Sequence, residues 1–252
     1  MKIVVFILIY LNILFADHTK IYFYSTDINI NNFKALKISF DSYIKDYGDY
    51  KFQPFSNKNT FEKQIQYDDS ILLLSSWHYK ILSKKYNLEA LLVAQKKGSI
   101  TDTKVLVGKK NSRKKGLITS AYNTPYTKEI LSELIKNDTK NSPILIVPKE
   151  IDALMSVSFG MSDFALVSKD SLYFLQKINP SLTKDFKIFH ESEPKYRIVL
   201  AKNTIQQSNK QIITIFNNMT RNTKGRDILE MMDIDKLVIL SKQDKYNLGD
   251  VK

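Results

Sequence analysis

Short apolar runs of strand length alternate with segments of helical period along most of the chain, and that alternation decides the fold class. "SILLLSS" (70–76) is a continuous apolar run, the pattern of a strand buried on both faces. "KIYFYSTDI" (20–28) is β-branched and aromatic before it breaks into polar residues. Between these two, "NNFKALKISFDSYIKDYG" spaces Phe33, Leu36, Phe40, Tyr43 and Ile44 along one helical face and stops at Gly48. "NTFEKQIQY" follows as a helix with Asn59 and Thr60 in the capping position. Further on, "GLITSAY", "SPILIVP" and "DFALVS" read as strands separated by the helices "TPYTKEILSELIKN" and "KEIDALMSVSFG". In the first of those helices Thr124 caps and Pro125 opens the first turn. Strands alternating with helices predict an α/β protein with mostly parallel sheets. The rhythm changes near residues 90–110 and 195–202, where long strands follow one another, so the chain leaves one lobe, builds a second and returns.

The first residues bear on the compartment. "MKIVVFILIYLNILFADHTK" has Lys2, an apolar run from Ile3 to Phe15, then Ala16 before Asp17, the arrangement of a secretory signal ending at residue 16. Retention as an anchor is the alternative. The chain contains no cysteine, which excludes disulfides, thiolate metal sites, cysteine catalysis and a lipoprotein anchor. Lys and Arg outnumber Asp and Glu by 38 to 26, for a net charge of +12. That excess suits an anionic ligand or surface, and equally the Lys-rich composition of an A/T-rich coding sequence.

The stretch "IDALMSVSFGMSDFALVSKDSLYFL" (151–175), with "KIFHESEPKYRIVLAKN" (187–203) and "NNMTRNTKGRDILEMM" (217–232), resembles the type 2 periplasmic solute-binding proteins. More narrowly it resembles their phosphate, phosphite and phosphonate branch, the substrate-binding components of ABC importers. The resemblance implies a two-lobed clamshell, each lobe a mostly parallel sheet flanked by helices, joined by two crossover hinge strands. Residues 17–110 would form the first part of lobe 1 with the hinge strands, 111–195 lobe 2, and 196–252 the return to lobe 1. It also implies a small anionic ligand held between the lobes at helix N termini, where unpaired N–H groups favour negative charge. The chain departs from the family at "TSAYNTPYT" (119–127), which lacks a glycine and carries Tyr122 and Tyr126 beside the cap.

Candidate ligand contacts follow. Ser120, Asn123, Thr124 and Thr127 supply polar groups around that cap, and Tyr122 and Tyr126 supply stacking surface. Ser75, Ser76, Trp77, His78 and Tyr79 follow a buried strand and open a helix, the crevice position of an open α/β sheet. Ser25 and Thr26 occupy the same position after the first strand. Trp77, the single tryptophan, lines a pocket or packs in a core. By the resemblance Asp163 marks the mouth of the second lobe; a turn that bonds nearby backbone is its other reading.

The three histidines are scattered without an i,i+4 pair, so no metal and no cofactor is expected. "KKNSRKK" (109–115) reads as a solvated loop rather than a nucleic-acid site. A nucleophile elbow and a Gly-rich phosphate loop are both absent from the sequence, so nothing nominates an enzyme. The expectation is a monomeric periplasmic binding protein that delivers its ligand to the permease of an ABC importer. A subunit reporting to a membrane sensor kinase, and a secreted hydrolase, are the alternatives.

Overall fold

In a computed structural model the chain is described over residues 19–28, 30, 32–66, 70–112, 116–135, 142–203 and 208–249. The apolar leader, residues 1–16, and part of the basic loop, residues 113–115, lie outside the described residues.

Strand β1 (Thr19–Tyr24) pairs in parallel with β2 (Tyr50–Pro54) on one side and with β3 (Ser70–Leu74) on the other. All residues of β3 are buried, as its continuous apolar run requires. Side chains alternate across this sheet: Ile71 and Leu73 enter one core layer with Phe23, Phe40 and Phe52, while Leu72 and Leu74 enter the other with Tyr22, Tyr24 and Phe61. Helix α1 (Phe33–Ile44) is capped by the Asn32 side chain and buries Leu36, Phe40, Tyr43 and Ile44. Helix α2 (Lys58–Ile65) is capped by Asn57, not by the Asn59–Thr60 pair, because Asn57 Oδ1 accepts from the Thr60 N–H at 3.1 Å. Helix α3 (Ser76–Leu82) follows β3. Strand β2 forms the edge of its sheet, and α1 guards it. Asp41 accepts from the Phe52 N–H at 2.9 Å and Lys37 donates to the Phe52 carbonyl at 2.6 Å, which occupies groups another strand would use.

The second sheet repeats this plan. Strands β6 (Ile118–Ser120), β7 (Ile144–Ile146) and β8 (Phe164–Ser168) are parallel with β6 in the middle. The long strands β5 (Thr101–Lys109) and β9 (Phe186–Tyr196) continue the sheet antiparallel, giving the order β7-β6-β8-β5-β9. Helices α4 (Thr124–Leu134), α5 (Glu150–Ser158), α6 (Lys169–Ile178) and the short α7 (Pro180–Thr183) belong to this lobe. The chain then re-enters the first sheet. Strand β10 (Val199–Lys202) inserts antiparallel between β3 and β4 (Glu89–Gln95). Helices α8 (Asn209–Asn217) and α9 (Thr223–Met231) lead to β11 (Lys236–Ile239), and α10 (Lys242–Asn247) follows. The first sheet therefore runs β11-β4-β10-β3-β1-β2.

Residues 17–110 were expected to hold the first part of lobe 1 with the hinge strands; β5 pairs only with β8 and β9, so the first crossing lies between β4 and β5. At that crossing Lys96 and Ser99 form an isolated bridge. Strand β11 adds a sixth strand beside β4.

One glycine carries a close approach. A Cβ on Gly225, in the first turn of α9, would stand 2.4 Å from the Cα and carbonyl oxygen of Met219, which are backbone atoms that cannot swing aside. Gly225→Ala is therefore expected to cost about 1–3 kcal/mol, read as a lower denaturant midpoint with an unchanged slope. An unchanged midpoint would mean that α9 is not seated as described.

Candidate functional site

Parallel strands bind ligands beyond their carboxyl ends, where neighbouring connections part to opposite faces. Here the carboxyl ends of β1, β3, β6 and β8 lead into one crevice between the two sheets. From the first lobe come Ser25, Thr26 and Asp27 after β1, and Ser75, Ser76 and Trp77 after β3. The Ser25 and Ser75 hydroxyls lie 3.1 Å apart, and the Asp27 N–H donates to Ser25 Oγ at 3.1 Å. Thr26 donates to Asp27 Oδ1 at 3.2 Å and accepts from Trp77 Nε1 at 3.4 Å. Ser76 donates its hydroxyl hydrogen to the Tyr196 carbonyl at the end of β9.

Trp77 reaches across from the first lobe into the second while keeping its bond to Thr26. Its ring stacks on Tyr126 at 5.7 Å and meets Tyr122 edge-on at 6.1 Å, within the core cluster of Leu106, Ile118 and Ile130 in the second lobe. The tryptophan is thus both of the things its sequence position allowed: a crevice residue by origin and a core residue by contact.

The polar groups around α4 serve the protein itself. Ser120 Oγ accepts from the Tyr122 N–H at 3.2 Å and from the Thr127 hydroxyl at 3.0 Å. Asn123, not Thr124, is the cap; its side chain accepts from Tyr126 N at 2.9 Å and its carbonyl from Thr127 N at 2.9 Å. Pro125 has no N–H, and the Thr124 side chain is exposed. The N-terminal donors expected to hold an anion at this helix are thus largely taken up inside the chain.

Instead, the charged centre joins Asp27, which follows the first strand, to Glu150 and Lys104, which the sequence did not single out. Glu150, the first residue of α5, is 1 % exposed and points at the N terminus of α6. Its Oε1 accepts from the Ser168 N–H at 2.9 Å and from the Tyr122 hydroxyl. Its Oε2 accepts from the hydroxyls of Ser171, at 2.5 Å, and Ser168. Lys104, on β5, lies over the Tyr122 ring at 5.0 Å and stands 3.7 Å from Glu150 and 3.8 Å from Asp27 of the other lobe. Those separations exceed hydrogen-bond length. Burial opposes the charge on Lys104, but Asp27 and Glu150 outweigh it and hold the ammonium above the ordinary lysine value. Burial pushes the Glu150 carboxyl up to about 7 against the pull of Lys104. Asp102, beside them, is likewise raised by burial. A cavity of about 70 Å³ opens here, lined by Asp27, Asp102, Lys104, Ser168, Ser171 and Arg197 among others.

The lobes are closed on one another. Lys149 donates to the Ile30 carbonyl at 3.1 Å, and Lys80 pairs with Glu129 at 3.3 Å. Both crossings are held by one carboxylate of α6: Asp170 meets Arg197 at 2.7 Å and Lys96 at 3.4 Å.

Three expected contacts are not in the crevice. Asp163 precedes β8, at the pole opposite Ser168. Its Oδ2 accepts from the Leu117 N–H at 2.8 Å, a tie to the chain entering β6 and not to the backbone of its own turn. Tyr79 is buried in the first-lobe core beside Leu82 and Leu88. His78 is fully buried under Trp77, with ring centroids 5.0 Å apart, and Nε2 lies 2.7 Å from Glu62 Oε1.

Among the described residues Nδ1 of His78 has no hydrogen-bond partner, so the neutral ring donating from Nε2 fits and a second proton would go unbonded. Burial accordingly holds the imidazole below its ordinary 6.5, outweighing the attraction of Glu62. With the folded value below the unfolded one, the unfolded chain takes up the proton first. Stability is therefore complete above 6.5 and declines as the pH falls through it. Between about pH 7 and 5 the melting temperature is expected to fall more steeply for the wild type than for His78→Gln. Parallel slopes would show that burial does not shift the His78 imidazole in the fold.

Two α/β lobes of matching strand order, joined by two crossings and facing each other across the strand ends, define the type 2 periplasmic binding protein fold. The chain aligns with a Xanthomonas citri protein bound to ATP at a TM-score of 0.72 and 13% identity, covering 93% of this chain and 95% of that one. It aligns with a binding protein component of an ABC phosphonate transporter from Pseudomonas aeruginosa at a TM-score of 0.71 and 13% identity, covering 92% of this chain and 85% of that one. PhnD1 of Prochlorococcus marinus, in complex with methylphosphonate, aligns at a TM-score of 0.71 and 13% identity over 92% of this chain and 96% of that one. At such identities the likeness is one of fold. No family model matches the sequence, and no curated protein matches it. Among the described residues no helix is long and apolar enough to cross a membrane.

Proposed function

We propose that this chain is a solute-binding protein that works outside the cytoplasmic membrane, closes on a small anionic ligand and hands it to the permease of an ABC importer. The observation that carries this reading is Lys104. Its side chain is 5% exposed, its two carboxylate neighbours stand at 3.7 and 3.8 Å, and among the described residues nothing accepts a hydrogen bond from its ammonium. A buried ammonium with open donors, in a crevice closed by two lobes, is suited to an acid group brought by a ligand. The crossings at Lys96 and Arg197 would serve as hinges. Export through residues 1–16 belongs to the same proposal.

A thermal-shift screen against phosphate, phosphonates, sulfate, small carboxylates and amino acids tests it, since a ligand of the native state raises the melting temperature by mass action. A rise for one chemical class is expected. A flat screen, with the protein folded, would overturn the proposal.

A further inference from the structure

The seat formed by Ser168, Ser171 and Tyr122 is one that an oxyanion would occupy: a helix N terminus of a ten-residue helix, two hydroxyls and a phenol, all beside an ammonium. It already holds a carboxylate. Both oxygens of Glu150 accept, and four donors converge on them, so the ionised side chain fills the seat from within the chain. We infer that Glu150 is a specificity-determining residue that bars dianionic oxyanions from the crevice and reserves Lys104 for a solute bearing a single carboxylate.

Two arguments support the selection. The first is a count of donors. A phosphate or sulfate buried away from water needs hydrogen bonds on several oxygens, and Glu150 has claimed the hydroxyls and the helix N–H that would make them. Lys96 and Arg197 line the same cavity but are paired with Asp170, which leaves the ammonium of Lys104, whose three N–H groups match the two oxygens of one carboxylate. The second is charge. Lys104 lies 3.8 Å from Asp27 and 3.7 Å from Glu150, and Asp102 also acts on it through space, so one cation already faces several carboxylates. Adding two further negative charges to that group meets repulsion in a site with little water to screen it. A solute that brings one carboxylate, together with a cationic or neutral remainder facing Asp27 and Asp102, does not.

This inference rests on the solute-binding reading, and the experiment separates the two. Inorganic phosphate and sulfate are titrated by calorimetry into the wild type, Glu150→Gln and Glu150→Ser at mildly alkaline pH, where Glu150 is ionised. Small carboxylates and amino acids are titrated in parallel. The wild type is expected to show no measurable heat with phosphate or sulfate, and the variants to bind phosphate at least about tenfold more tightly. Equal phosphate affinity in wild type and variants would overturn the role of Glu150 while leaving the solute-binding reading intact. A wild type that binds nothing in the panel, beside variants that gain phosphate, would uphold the exclusion and count against the reading. Glu150→Ser is included in case the amide of Gln cannot serve four donors. If neither variant folds, phosphate binding by the wild type would overturn the inference and its absence would support it.

Discussion

Trp77→Ala is expected to lower stability by about 3–5 kcal/mol and to open the molecule. The indole is 3% exposed, although the residue begins a helix of the first lobe, because it packs among Tyr122, Tyr126 and Ile130 of the second. Its removal takes away the stack on Tyr126 and the bond to Thr26 together. What remains across that part of the crevice is polar, notably the exposed Lys80–Glu129 pair, and exposed pairs contribute little. Chemical denaturation would read the cost, and small-angle scattering the opening, as a larger radius of gyration. Leu172→Ala is the control. Leu172 is buried within the second lobe, so its truncation should cost stability without changing the radius. Equal radii for Trp77→Ala and the control would show that the lobes are held together elsewhere.

The second large effect is expected at Lys104. Lys104→Met keeps the length of the side chain and removes its charge, leaving Asp27 and Glu150 facing each other without a cation. Breaking a buried ion pair from one side typically costs about 3–5 kcal/mol. The loss should depend on pH with a definite sign. Glu150 is already pushed up to about 7 with Lys104 present, and without the ammonium its carboxyl rises further. The variant takes up this proton at a higher pH than the wild type, so the difference between them should shrink as the pH falls toward 7 and hold steady below it, where Glu150 is protonated in both. Denaturant midpoints measured across that range would show it. A difference that widens on acidification would mean that Lys104 is not compensating these carboxylates.

Much of the architecture was legible because certain runs admit only one environment. "SILLL" and "FALVS" are too uniformly apolar for a half-exposed strand, and both are buried along their whole length. Ser25, Thr26, Ser75 and Ser76 follow from the general rule that ligands meet the carboxyl ends of such strands. The same rule points to Ser168 and Ser171 after "FALVS", whereas Asp163 lies at the other end of that strand. Glu150 was hidden for a different reason. An acidic residue in the first turn of a helix ordinarily complements its own helix, and nothing local shows that this one serves the next. Lys104 sits among polar and apolar neighbours in "TDTKVLV", where only the packing of two lobes makes it buried. The first crossing is hard to place from sequence because two successive strands joined by a glycine turn look like a hairpin whether or not they share a sheet. Strand β11 was missed because "DKLVIL" is short and follows a helical stretch directly.

The central claim is that Lys104 in the closed crevice, and not the pole marked by Asp163, is where a solute is held. The most direct test is to carry the thermal-shift screen on the wild type, Lys104→Met and Asp163→Ala side by side. The account predicts that any ligand raising the melting temperature of the wild type does the same for Asp163→Ala and fails with Lys104→Met. A ligand that still stabilises Lys104→Met, or one lost with Asp163→Ala alone, would contradict it.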